Sequence, residues 1–144
     1  MSLLIKGGTV VTAEESYRAD VYCADGTIQA IGENLEAPAG TELVDAGEAL
    51  VIPGGIDPHT HMELPFGGTF ASDTFEIGTR AAAWGGTTTI IDFAVQRTGE
   101  NVRDCLDEWF AKAEGQCAVD YAFHMILGGV DDASLKEMDG LVAE

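Results

Sequence analysis

The stretch VIPGGIDPHTHMELPFGGT, residues 51–69, puts two histidines two positions apart, at the end of an apolar run that opens on a proline-glycine turn signal. In a β-strand, side chains at i and i+2 leave the same face, so His59 and His61 project together if a strand runs through them. Two imidazoles presented side by side can hold one metal, with Zn–N bonds of about 2.0–2.1 Å. A bare pair of this kind is more often two polar residues closing a strand. Its setting argues otherwise: it ends what reads as a parallel strand, where barrel and open-sheet enzymes place reacting groups, and Asp57 and Glu63 flank it.

From Pro53 onward strands alternate with helices, the pattern of βαβ units around a parallel sheet, so the fold class is α/β. GGIDPHTH, residues 54–61, ends the first strand, and a helix follows over about 74–84 with Asp73 as N-cap, Glu76 at the capping-box position and Gly85-Gly86 as the stop. TTTIIDF, residues 87–93, is β-branched and apolar enough to be a strand buried on both faces. Val102, Cys105, Leu106, Trp109, Phe110 and Ala113 then recur at three- and four-residue spacing, the stripe of an amphipathic helix. VDYAFHMIL, residues 119–127, is a third strand, and a helix over 134–143 presents Leu135, Met138, Leu141 and Val142 as its apolar side. Three such units cannot close a barrel, which takes eight and roughly 250 residues. The expectation is an N-terminal part of a longer protein.

Residues 1–52 have a different grammar, with LLIKGGTVVT, ADVYCADGTIQAIG and ELVDAGEALVIPG as short strands separated by turns. Asp25-Gly26 is a two-residue hairpin signal, and the segment reads as a small antiparallel sheet. The expected division is therefore 1–52 and 53–144.

Two long stretches, VIPGGIDPHTHMELPFGGT and GTRAAAWGGTTTIIDF (78–93), resemble the cyclic amidohydrolases, specifically dihydropyrimidinases and D-hydantoinases. The likeness begins at IKGGTVV (5–11) and continues through DYAFHMIL (120–127), nearly the whole chain. What it implies is a (β/α)8 TIM-type barrel, of which 53–144 supply the first three units, and a β-sandwich to which 1–52 contribute. It implies a binuclear site, usually zinc, with His59 and His61 on the more buried ion and a carboxylated lysine bridging both. That lysine, two further histidines and a catalytic aspartate belong to later strands, so no catalytic residue is assigned within 1–144. Lys136 is the last lysine present and falls mid-helix, so it is not nominated. The implied reaction opens a cyclic amide to an N-carbamoyl amino acid, which a divalent metal assists by polarising the carbonyl. Homotetramers are implied as well.

In the same likeness, the loop MELPFGGTFAS (62–72) is a flap over the pocket, which makes Leu64 and Phe66 candidate substrate contacts; packing onto the barrel rim is an equal reading. Gly67-Gly68 would let such a flap move. Asp57 and Asp92 are candidates to orient a ligand histidine from behind it, Asp92 pointing towards the active face. Asp57 is as well read as a backbone-bonding acid, His124 as a core histidine, and Glu63 as a solvated or loop-bonding carboxylate.

Composition narrows the partners. With 25 acidic residues against 7 basic ones, a formal charge of −18, the chain would be repelled by nucleic acid and by anionic membrane surfaces. The acid is sparse around the histidines, 5 residues in 53–98 against 9 in 1–52 and 11 in 99–144. Cys23, Cys105 and Cys117 form no CxxC pair, which fits reduced thiols in a cytoplasm, and Cys105 falls on the apolar stripe. MSLLIKGG lacks the apolar run of a signal peptide, and no stretch reaches the ~18 residues of a membrane span. The expectation is a soluble enzyme acting on a small cyclic amide. Allantoinase and dihydroorotase share the histidine pair, but the carboxylate of dihydroorotate calls for basic contacts that 62–72 lack. Non-catalytic dihydropyrimidinase-related scaffold proteins lose metal ligands, whereas both histidines stand here.

Overall fold

The computed structural model describes residues 1–142; Ala143, the last residue of the expected final helix, lies outside them. The chain divides into two units, Met1–Pro53 and Gly54–Glu144.

In the first unit, β1 (Ser2–Val11), β2 (Ser16–Ala24), β3 (Thr27–Gly32), β4 (Glu42–Asp45) and β5 (Leu50–Val51) form one sheet in the order β3-β2-β1-β4, with β5 also on β1. The β2–β3 turn carries positive φ at both Asp25 and Gly26, 51° and 75°, the twist that joins adjacent antiparallel strands. The sheet is mixed rather than antiparallel, because β4 and β5 pair with β1 in parallel. Residues 33–41 carry the chain back to the end of the sheet where β1 begins, pairing Leu3 with Glu42, and a return of that kind enters parallel. A register shift in β1 between Ile5 and Gly8 frees the Gly7 N–H, which the buried Asp20 accepts at 2.8 Å while its other oxygen takes Leu35 N–H at 2.9 Å. The Gly7 bond holds the Asp20 carboxyl below the ordinary carboxylate range. Val10, Ala19 and Val21 are the buried centre, whereas Ile28, Leu43, Leu50 and Ile52 are exposed.

The second unit has β6 (Gly55–Thr60), a small hairpin of β7 (Pro65–Phe66) and β8 (Thr69–Phe70), α1 (Phe75–Trp84), β9 (Thr87–Val95), α2 (Val102–Ala113), β10 (Asp120–Ile126) and α3 (Asp132–Leu141). The three long strands are parallel in the order β10-β9-β6. On β9, Ile90, Asp92 and Ala94 are buried, and the two apolar ones join Phe75, Leu106 and Trp109 in the core. Thr89, Ile91, Phe93 and Val95 alternate to the other face and are half-buried, so from Ile90 onward β9 is fully buried on one face, not on two.

The helix ends show which local signals prevail. Thr74, not Asp73, caps α1, its Oγ1 accepting from Ile77 N–H at 3.2 Å. With the cap one residue later, Glu76 falls short of the capping-box position and pairs with Arg80 instead, at 3.4 Å. Asn101 caps α2, whose stripe of Val102, Cys105, Leu106, Trp109 and Ala113 is buried as the spacing predicts, with Phe110 of the same stripe half-buried. The apolar side expected of α3 is open: Leu135 is 53% exposed, Val142 87%, and Leu141 alone of the four packs against the core. α3 rests on α2, and among the described residues no strand lies under its apolar side. None of these helices is long and apolar enough to cross a membrane.

Burial, followed by the charges of Glu100 and Glu108, pushes the Cys105 thiol up to about 11. The reactive thiolate therefore forms only near that pH in the folded chain. At pH 8 Cys105 is expected to stay unmodified by iodoacetamide in the native protein and to react in denaturant; mass spectrometry of the labelled peptides checks this, and native labelling as fast as denatured would refute it.

Candidate metal centre

The histidine pair owes its position to an irregularity in β6. Asp57 pairs with Ile90 and Thr60 with Asp92, so three steps on β6 oppose two on β9, leaving a bulge at Pro58-His59. Proline has no N–H to give a ladder, and a bulge is one of the few places inside a sheet that accepts it. His61 follows immediately after the last residue of β6. Even so, the two imidazoles meet on one face, their ring centres 5.1 Å apart and their planes nearly perpendicular at 87°.

Behind them stands Phe93, whose ring centre is 4.5 Å from that of His59 and 5.1 Å from that of His61. His124, opposite Phe93 in the parallel register, packs on the same ring at 5.0 Å. Its place is this exposed face rather than the core. Four rings thus share one face of the sheet, at the C-terminal ends of three parallel strands. Phe93 was missed by the reading of motifs; the alternation along TTTIIDF, which puts it opposite the buried Asp92, carried the signal.

Asp92 does not point towards the histidine face. It is 0% exposed on the helix side of β9, where Oδ2 accepts from Thr60 Oγ1 at 2.8 Å and from Met62 N–H at 2.7 Å, and Oδ1 accepts from Phe93 N–H at 2.7 Å. The alternation that turns Phe93 to the rings turns its neighbour away. Asp57 Oδ1 accepts from the His59 backbone N–H at 3.1 Å, the backbone-bonding arrangement. Glu63, at φ 53°, takes the free N–H of Phe75 at the start of α1 at 3.3 Å, while its own N–H bonds Asp73 O at 2.9 Å. Both ends of the 63–73 segment are thereby tied together.

Within that segment Gly67 and Gly68, at φ 60° and 81°, turn the β7–β8 hairpin. Leu64 is half-buried against the core beside Met62, whereas Phe66 is 80% exposed. Gly78 of α1 leaves room for the Met62 side chain, which a Cβ there would strike. Gln96, also missed, is buried at the end of β9; its Nε2 donates to Glu100 O at 2.7 Å and its Oε1 accepts from Gly128 N–H at 3.1 Å, joining the loops after β9 and β10. Lys136 lies on α3, away from any strand.

Chemically, the pair offers two imidazole nitrogen donors on an open face. That donor set suits zinc or a similar divalent ion, but two nitrogens do not complete a coordination shell. Among the described residues no group of three or more His, Cys, Asp or Glu side chains is placed to hold a metal. A concavity of about 450 Å³ beside Met1, Tyr22 and Asp25 belongs to the first unit and contains none of these rings, so its size carries no weight against the chemistry of the pair.

Residues 50–141 match the Amidohydrolase family. The chain belongs to this family. It is 56% identical over 145 residues to the D-hydantoinase of Streptomyces coelicolor, covering 98% of this chain and 31% of that protein. It is 41% identical to the dihydropyrimidinase of Dictyostelium discoideum, covering 99% and 28%. The crystal structure of the dihydropyrimidinase from Brevibacillus agri superposes with a TM-score of 0.94 at 44% identity, over 99% of this chain and 31% of that one. This amidohydrolase chain thus spans about a third of the length of such relatives. Its second unit is part of the (β/α)8 barrel that the resemblance implied, built from the βαβ units that the alternation of strands and helices pointed to.

Proposed function

We propose that the whole protein is a divalent-metal-dependent cyclic amidase that opens hydantoins or dihydropyrimidines to N-carbamoyl amino acids, and that His59 and His61 are two of its metal ligands. The observation that carries the reading is the meeting of the two imidazoles on one face at the strand end, in a chain 56% identical to a D-hydantoinase. A divalent ion held there supplies Lewis-acid polarisation of the ring carbonyl and a nucleophile available near neutral pH. The residues of this chain prepare for it. His59 and His61 present imidazole nitrogens, and Phe93 backs both rings. The site would take two zinc ions, with His59 and His61 as the ligands from this chain and with a carboxylated lysine, further histidines and the catalytic acid supplied from outside residues 1–144.

Phe66 is the flap residue that meets the substituent on the substrate ring. Leu64, packed against the core, supports the hairpin from beneath. The absence of any basic residue in 62–72 favours a neutral ring over one bearing a carboxylate. The protein works in the cytoplasm as a homotetramer. Metal analysis of the whole protein, with a ring-opening assay on dihydrouracil and hydantoin, tests this reading: two zinc equivalents per subunit and hydrolysis of either ring are expected. Two bound ions with neither ring opened would remove the substrate assignment.

A further inference from the structure

We infer that Asp92 and Phe93, consecutive on β9, are the positioning device of the histidine pair, the carboxylate holding the Thr60 hydroxyl and the Met62 N–H on either side of His61 and the ring holding the two imidazoles. The inference rests on reading His59 and His61 as metal ligands and adds what sets their geometry. The β6 ladder ends at Thr60, so His61 and Met62 lie where strand pairing no longer fixes the chain. Asp92 takes over that task, reaching across from β9 to Thr60 Oγ1 and Met62 N–H, the groups immediately before and after His61. Its other oxygen accepts from Phe93 N–H and so fixes the residue whose ring touches both histidines. Every donor named here needs an acceptor, and the two donors that are backbone N–H groups sit on different oxygens. An amide in place of the carboxylate would turn an NH2 group towards one of those N–H groups and lose that bond. Alternation along the strand explains how two neighbours serve one site: Asp92 works from the buried face and Phe93 from the open one.

The test is zinc affinity of the whole protein by chelator competition, with thermal unfolding of the metal-free form measured in parallel. Asp92→Asn and Phe93→Leu are each expected to weaken zinc binding about 10–100-fold, as loss of groups that orient ligands does. Thr60→Val, which removes one bond to Oδ2, should weaken it less, and Thr60→Ser should restore the parental affinity. A purely structural role would lower the unfolding temperature and leave affinity at the parental value in Asp92→Asn and Phe93→Leu, which would overturn the inference. Should Asp92→Asn not fold, Phe93→Leu and the contrast between Thr60→Val and Thr60→Ser decide: parental affinity in all three overturns it. His61→Ala is the control. If it abolishes zinc binding while the other variants keep it, the ligand reading stands and the positioning role falls; a parent protein that binds no zinc overturns both.

Discussion

His61→Ala in the whole protein is expected to lower kcat/KM for ring opening by more than a hundredfold, with His59→Ala doing the same. A hundredfold is about the ceiling for residues that only orient ligands, and corresponds to roughly 2.7 kcal/mol of lost transition-state stabilisation. Both imidazoles lie on the exposed face of the sheet and share the Phe93 ring, and removing either takes one nitrogen donor out of the set that would hold the ion. The loss should therefore appear in metal content as well as in turnover. Elemental analysis beside steady-state kinetics reads both. Full metal content with unchanged kcat/KM in either variant would remove these histidines from the centre.

Phe75→Ala should cost about 3–5 kcal/mol of stability, the range for deleting a fully buried aromatic side chain. Phe75 is 0% exposed at the first turn of α1, meets Phe123 edge-on at 6.1 Å and belongs to the core that includes Met62, Ile90 and Trp109. Alanine would leave a cavity between α1 and the sheet, and this position cannot collapse easily because the Phe75 N–H is already bonded to Glu63. The denaturant midpoint of the whole protein measures it, with Phe75→Leu as the milder comparison. A change below about 1 kcal/mol would mean that this core does not govern unfolding.

Much of the fold was legible because its signals are local. The stripe through Val102, Cys105, Leu106, Trp109 and Ala113 has only one helical interpretation, and Asp25-Gly26 has the left-handed φ values that a tight hairpin requires. The α1 cap was misplaced by one residue because Asp73 and Thr74 are both good capping types, and the choice depended on Glu63 engaging the Asp73 carbonyl and the Phe75 N–H. The parallel entry of β4 and β5 was illegible for a similar reason: hydrophobic pattern sets which face a strand buries but not the direction in which it pairs.

Sequence alone determined the α/β class of the second unit and pointed to His59 and His61, at the end of its first strand, as the candidate metal pair, since strand periodicity, residue type and the family likeness are all carried by the chain itself. Tertiary structure decided what surrounds the pair. That Asp92 clamps the backbone from the buried face, that Phe93 touches three histidines, and that Leu64 packs inward while Phe66 stays exposed depend on contacts between strands 30 or so residues apart. Such contacts follow from register and from one bulge at Pro58-His59, which a period-two pattern does not encode.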